Sequence, residues 1–223
     1  MTRDPPPDAT EILLVDDHPV VRQGLRRMLE QERNLHVQGE AASVAEALAS
    51  IEADPPDLAI IDIALGGEDG LQLVKQINAR WPDMLILVVS MHTEKLYAER
   101  ALRAGAHGYV MKHEPTEALV AAVQRVSAGG VYISETLQAE WLHLMKAGKP
   151  RAATPLESLT DRELAVFRLI GQGLSTREIA KKLHLSVKTV ETYRENIKEK
   201  LALRTATELV QKATLWLHSE TAS

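Results

Sequence analysis

Short apolar runs alternate with stretches of helical periodicity along the first half of the chain. Glu11–Val15, Leu35–Ala41, Asp57–Ile61, Met84–Val89 and Gly108–Met111 are too brief for helices and rich in Val, Ile and Leu, as strands buried on both faces are. The segments between them repeat their apolar residues every three or four positions. Pro19 opens the first, followed by Val20, Val21, Leu25, Met28 and Leu29, and proline is tolerated in a first helical turn. Ser43 with Glu46 reads as a capping box for a helix reaching Ala53. Leu71–Arg80 stops at Trp81-Pro82, Glu94–Ala104 stops at Gly105, and a last helix follows Pro115 to Ser127 before Gly129-Gly130. Strand then helix, five times over, predicts an α/β fold: a doubly wound five-stranded parallel sheet in the flavodoxin-like order 2-1-3-4-5.

Beyond Gly130 the pattern changes. Residues 135–146 (Leu137, Trp141, Leu142, Leu144, Met145) can form an amphipathic helix, and Gly148–Pro155 reads as a flexible linker. From there to the carboxyl terminus the periodicity is helical throughout. Thr160 with Glu163, Ser175 with Glu178, and Thr205 with Glu208 have capping-box spacing, and another helix starts near Ser186 and runs to about Leu201. Helices this short are marginal alone and must pack on one another; the second and third have the lengths and short turn of a helix-turn-helix. The expected organisation is a disordered start over 1–10, an α/β domain over 11–130, a linker over 131–155, an all-α four-helix domain over 156–218 and a tail over 219–223.

Composition sharpens this picture only in places. The 223 residues suffice for two modest domains, and the absence of cysteine excludes disulfides, thiolate metal sites and thiol catalysis. Met1–Ala9 lacks the apolar core of a signal peptide, and no run approaches ~20 apolar residues, so the expectation is a cytoplasmic protein without a membrane span. The net charge of -5 is uneven: residues 156–218 carry eleven Lys/Arg against eight Asp/Glu, the remainder fifteen against twenty-three. An acidic domain is thus joined to a mildly basic one, the second suited to touching polyanions.

In an open parallel sheet, ligands bind beyond the carboxyl ends of the strands. Here those ends supply Asp16 and Asp17, then Asp62, then Ser90, then Lys112. Three carboxylates in one cleft are costly unless they are protonated or a cation bridges them, and an oxygen donor set favours Mg²⁺, held by Asp17 and Asp62 with a nearby backbone carbonyl. An ionised aspartate beside a metal ion and an ammonium can attack a phosphoryl group, with Lys112 screening the charge and Ser90 offering a hydroxyl. His18, His36, His107 and His113 have no metal-ligand spacing with one another and read as surface or packing residues.

Asp16-Asp17, Asp62 followed by Gly67-Glu68-Asp69-Gly70, Ser90, and Tyr109-Val110-Met111-Lys112 resemble, over roughly residues 11–128, the receiver domain of bacterial two-component response regulators. The resemblance implies that Asp62 accepts a phosphoryl group from a sensor histidine kinase. It implies that Asp17 and Asp62 bind Mg²⁺ with the Ala64 carbonyl, Asp16 assisting. It also implies that Ser90 and Tyr109 form a switch pair, the hydroxyl moving toward the phosphoryl group and the ring turning inward behind it. Gly66 stands where the family usually has proline, and Ala64 and His92 lie where it tunes phosphoryl lifetime. A hydrolase with an aspartyl nucleophile would need a second acid two residues on, where this chain has Ala64.

In the stretch Ser186–Leu201, Val190, Ile197 and Leu201 form one apolar face and charged residues the rest, as a major-groove helix requires. Leu159–Glu163, Gly173–Ala180, Leu185–Glu191 and Lys200-Leu201 resemble the LuxR-type helix-turn-helix domain, with Tyr193 where many members have His. Receiver plus this domain resembles the NarL/FixJ family of transcription factors. That resemblance implies a supporting helix over Thr176–Leu183 and a recognition helix over Val187–Lys200. Glu191, Thr192 and Glu195 are expected near base edges and Lys188, Arg194, Lys198 and Lys200 along phosphates, with Thr189 at the DNA and open between the two. The last helix, through Leu209, Ala213 and Trp216, is expected to pair two copies on promoter DNA.

Overall fold

The structure is a computed structural model that describes residue 6 and residues 9–146 and 154–221. It divides into two compact units, Met1–Glu140 and Trp141–Ser223. In chain order the elements are β1 (Thr10–Val15), α1 (Pro19–Leu29), β2 (Leu35–Ala41), α2 (Val44–Ala53), β3 (Leu58–Ile61), β4 (Ala64–Leu65), β5 (Glu68–Asp69) and α3 (Gly70–Arg80). Then come β6 (Leu85–Ser90), α4 (Glu94–Ala104), β7 (Gly108–Met111), α5 (Thr116–Ser127) and α6 (Glu135–Lys146). A 3₁₀ turn, Pro155–Ser158, precedes α7 (Asp161–Gly171), α8 (Thr176–Lys182), α9 (Val187–Lys200) and α10 (Ala206–Thr221).

β2-β1-β3-β6-β7 form one five-stranded parallel sheet in the expected order. Alternate residues of its strands serve opposite faces, and both faces are covered. Ile12, Leu14, Leu58, Ile60, Leu87 and Val89 pack with Leu29 of α1 and with Leu119, Val123 and Val126 of α5. Their neighbours Leu13, Ala59, Ile61, Ile86 and Val88 are equally buried on the face that α2, α3 and α4 cover. Burial on both faces is why these strands read as unbroken apolar runs.

Three local features differ from expectation. The loop after Asp62 contains a small hairpin, β4 paired antiparallel with β5, closed by Gly66 and Gly67 at φ 54° and 112°. Two consecutive positive φ angles are what a tight hairpin turn needs, and proline, fixed near −65°, cannot supply them; Gly66 therefore fits its position. Secondly, the capping boxes at Ser43 and Thr205 are only half formed. Each hydroxyl accepts from the expected amide, but Glu46 and Glu208 bond the amides of Ala42 and Arg204, one residue earlier. Thirdly, the expected linker is ordered at its start: Tyr132 pairs with Gly108 at the edge of β7. Residues 147–153, the core of that linker, lie outside the described residues, as does most of the segment 1–10. Residues 219–221 of the expected tail continue α10.

His107 sits where β7 begins. Its Nδ1 accepts from the Ile86 amide at 3.1 Å, so the ring is neutral, and burial holds its pKa below the ordinary 6.5. The unfolded chain takes up this proton first, so the contribution is present above pH 6.5 and is lost as pH falls through the depressed folded value. The urea midpoint of the first unit should fall between pH 7.5 and 5.5, and His107→Asn, which keeps an acceptor but no titration, should shrink that fall.

Candidate functional site

The parallel register brings the carboxyl ends of β1, β3, β6 and β7 level, and the residues just past them converge. Lys112 Nζ donates to Asp16 Oδ2 at 2.5 Å and to Asp62 Oδ2 at 2.7 Å. Asp16 and Asp62 are 2 % and 5 % exposed, so neither charge is carried by water. Backbone amides take the other oxygens: His18 N–H donates to Asp16 Oδ1 at 2.8 Å and Ala64 N–H to Asp62 Oδ1 at 3.1 Å. Burial lifts the Asp62 carboxyl above its ordinary value, with Lys112 and the Ala64 amide pulling the other way. Burial opposes the Lys112 charge as well, yet Asp62 and Asp16 together hold the ammonium above its usual value. The amine is the fixed cation of the pocket.

Asp17 completes the cluster differently. Its Oδ1 is buried without a hydrogen-bond partner, although His18 Nδ1 lies 2.9 Å away. One ligand atom from each of Asp16, Asp17, His18 and Asp62 falls within 4.8 Å of all the others. Spacing between histidines makes His18 a surface residue; its adjacency to Asp16-Asp17 is the feature that brings it here.

Gly70 fixes the loop that carries Asp62. A Cβ there would collide with the Asp62 carbonyl oxygen and the Ile63 backbone. The Gly70 amide donates to Ile63 O at 2.9 Å, so α3 starts directly against the segment that follows β3.

Ser90 and Tyr109 are both fully buried. They meet on His92, whose amide donates to Ser90 Oγ at 3.2 Å and whose carbonyl accepts from the Tyr109 hydroxyl at 2.7 Å. The His92 ring stacks on Tyr97 of α4, centroids 4.8 Å apart and planes 25° from parallel. The ring of Tyr109 is thus inward, and the His92 backbone is the part it holds. In the sequence, only its position two residues past Ser90 singles out His92.

In the second unit α8 and α9 form the helix-turn-helix, with His184 at φ 52° in the turn. Val190 and Ile197 are 0 % exposed and Leu201 5 %, which leaves Lys188, Glu191, Thr192 and Glu195 on the open face and Thr189, Arg194 and Lys198 beside it. Lys198 Nζ lies 2.8 Å from Glu195, and Thr189 is bonded to Ser186 at the helix start. Lys200, expected along phosphates, has a partner within its own unit. Its Nζ donates to Glu163 Oε2 at 2.6 Å, and Glu163 is also the capping-box acid of Thr160. Burial raises the pKa of that carboxyl, but Lys200 and Thr160 outweigh it and hold it below the usual value. The Lys200 side chain is 34 % exposed, so it reaches the buried acid from the surface.

Of the three residues expected to pair two copies, Leu209 and Ala213 are 0 % exposed within the single chain, packed in the unit's own core where α10 meets α7, and Trp216 is half-buried. Trp216 lies 5.4 Å from the Phe167 ring. The large apolar residues that α10 exposes are Val210 and Leu215.

Residues 12–124 match the family model of the response regulator receiver domain, and residues 157–213 that of the bacterial regulatory proteins of the luxR family. The chain is 36% identical over 208 residues to the oxygen regulatory protein NreC of Staphylococcus carnosus, covering 91% of this chain and 96% of that protein. It is 38% identical over 202 residues to the transcriptional activator protein ExaE of Pseudomonas putida, covering 91% and 94%. Among solved structures, RcsB of Salmonella enterica serovar Typhimurium, bound to a promoter in the presence of a phosphomimetic, superposes with a TM-score of 0.68 at 25% identity, covering 92% of this chain and 98% of that one.

Lys200→Ala should lower the stability of the second unit by about 1–3 kcal/mol, the range for a charge-assisted hydrogen bond to a buried acid, measured by urea unfolding at neutral pH. Because the Glu163 pKa is depressed in the folded state, this contribution is present above the unfolded value near 4.5 and vanishes as pH falls through the folded one. The variant should therefore converge with the parent in acid.

Proposed function

The chain belongs to the NarL/FixJ family of two-component response regulators, which join a receiver to a LuxR-type DNA-binding domain, and on that basis we propose that Asp62 accepts a phosphoryl group from a sensor histidine kinase and thereby controls promoter binding. The protein is a phosphorylation-regulated transcription regulator, not an enzyme in the usual sense. No helix among the described residues is long and apolar enough to cross a membrane. A kinase that signals by phosphohistidine and a promoter both point to work in the cytoplasm.

The observation that carries the reading is Lys112 held between buried Asp16 and Asp62. In the transfer, an Asp62 oxygen attacks phosphorus, the new P–O bond forms as the P–N bond to the kinase histidine breaks, and the imidazole leaves with the electron pair. Lys112 screens charge on the transferred oxygens, and Ser90 gives one of them a hydroxyl donor. Receiver domains bind Mg²⁺ at their acidic residues, and this pocket fits it: the donors are hard oxygens, and buried Asp17 Oδ1 lacks a hydrogen-bond partner that an ion would replace. Asp17, Asp62 and the Ala64 carbonyl would hold the ion, with Asp16 assisting; when bound, it neutralises charge on the phosphoryl oxygens. Ala64 also bears on the outcome. An aspartyl hydrolase would carry its second acid at that position, so Ala64 suits a phosphoryl acceptor rather than a turnover nucleophile.

On the DNA side, α9 enters the major groove with Glu191, Thr192 and Glu195 toward base edges, where carboxylates can accept from cytosine N4. Lys188, Arg194 and Lys198, with Thr189 at the helix start, serve phosphates, and phosphate contacts carry the salt dependence. Two copies pair through α10, by Val210 and Leu215 in place of the buried Leu209 and Ala213, so that the site is a paired one. That the similar RcsB is bound to a promoter in the presence of a phosphomimetic supports promoter binding by this chain.

Asp62→Asn should abolish phosphoryl uptake from a kinase or a small phosphodonor, read by intact mass, and uptake retained at another residue would sink the assignment. Lys188→Ala with Arg194→Ala should weaken binding to all DNA sequences alike and reduce the salt slope by about two. An unchanged slope would remove both residues from the interface.

A further inference from the structure

Glu94 has no part in the chemistry above, yet its residue is only 6 % exposed. Its Oε1 accepts from the backbone amide of Ser134 at 2.6 Å. Ser134 is the residue from which α6 starts: its hydroxyl accepts from the Leu137 amide at 3.2 Å and its carbonyl from the Gln138 amide at 3.0 Å. The Gln138 side chain returns to Ile133 O at 2.7 Å, Ile133 and Leu137 are 6 % and 3 % exposed, and Lys95 Nζ lies 3.4 Å from Glu140. The first turn of α6 is therefore held on the start of α4, with Glu94 as the buried anchor.

Tyr109 is bonded close to both ends of that anchor. Its hydroxyl holds His92 O, two residues before Glu94. Its backbone amide donates to Tyr132 O at 2.9 Å, two residues before Ser134. The ring thus bears on the segment that carries Glu94, while the backbone of the same residue holds the segment that carries Ser134 whatever the ring does. A buried carboxylate and a buried amide that lose each other are both left unsatisfied, so a small relative shift separates two discrete states instead of stretching one bond.

We propose that the Glu94–Ser134 hydrogen bond is the joint through which the state of Tyr109 reaches the linker helix: with the ring inward it closes and fixes the first turn of α6, and with the ring outward it opens and that turn frays. The proposal rests on the reading of Asp62 as phosphoryl acceptor and Tyr109 as its switch. Glu94 is a positioning residue, and its partner is a segment of its own chain.

The test is hydrogen exchange of the amides of residues 134–138 in the full chain, before and after phosphorylation with phosphoramidate, with uptake at Asp62 followed by mass in the same samples. In the wild type, phosphorylation, by holding the ring in the inward position seen here against exchange with the outward one, should slow these amides several-fold. Glu94→Ala should take up the phosphoryl group normally and exchange fast in both states, while Glu94→Gln, which keeps an acceptor oxygen, should retain the slowing. Fully phosphorylated wild type with unchanged exchange, or an alanine variant that responds like the wild type, overturns the joint. A wild type that takes up no phosphoryl group overturns the acceptor reading itself, and the joint with it.

Discussion

One ammonium between two buried carboxylates is the constraint on which the receiver depends. Asp16 and Asp62 end adjacent strands of a parallel sheet, and Lys112, from a third strand, is the cation that keeps their charges tolerable. That contact is possible only if β1, β3, β6 and β7 keep their register, because a slip of one residue would turn each strand-end side chain to the other face. The apolar core and the polar site are thus two consequences of one alignment. The same contact would make the pocket responsive: a phosphoryl group on Asp62, as proposed, would alter what Lys112 and Ser90 bind, and the effect would spread through elements that touch them.

The route outward is short and physically continuous. Ser90 and Tyr109 both hold the backbone of His92, His92 stacks on Tyr97, and α4 begins immediately after. On the other side Tyr109 is bonded to Tyr132 along the edge of β7. A change of rotamer in one buried aromatic ring therefore acts on a helix start while the backbone of the same residue keeps its hold on the chain leaving the sheet. Buried, close-packed groups of this kind move between discrete arrangements, which is what a switch needs.

Much of this can be read in the amino-acid order. Runs buried on both faces announce a parallel sheet, proline and glycine mark the helix ends, and polar residues at strand ends locate the site. The features that cannot be read depend on tertiary distance. The hairpin after Asp62 is made of two-residue strands, too short for any periodicity to register. His18 and His92 act by contact with residues beside them in space, not by spacing to other histidines. Lys200 resembles a phosphate ligand on charge alone, and only the packing of α9 on α7 brings it to Glu163. Leu209 and Ala213 show the general difficulty: an apolar stripe names the buried face of a helix but not whether the cover is the same chain or a second copy.

If the charge state of the Asp62 pocket sets DNA affinity, the dissociation constant for one selected DNA fragment must report it. That constant is to be measured at fixed salt with unphosphorylated and fully phosphorylated protein side by side, and with Asp62→Asn as the reference. Phosphorylation should tighten binding of the wild type, together with conversion to a paired complex, and Asp62→Asn treated with the same phosphodonor should not change. Equal affinity of the two wild-type forms, with the phosphoryl group verified on Asp62, would contradict it.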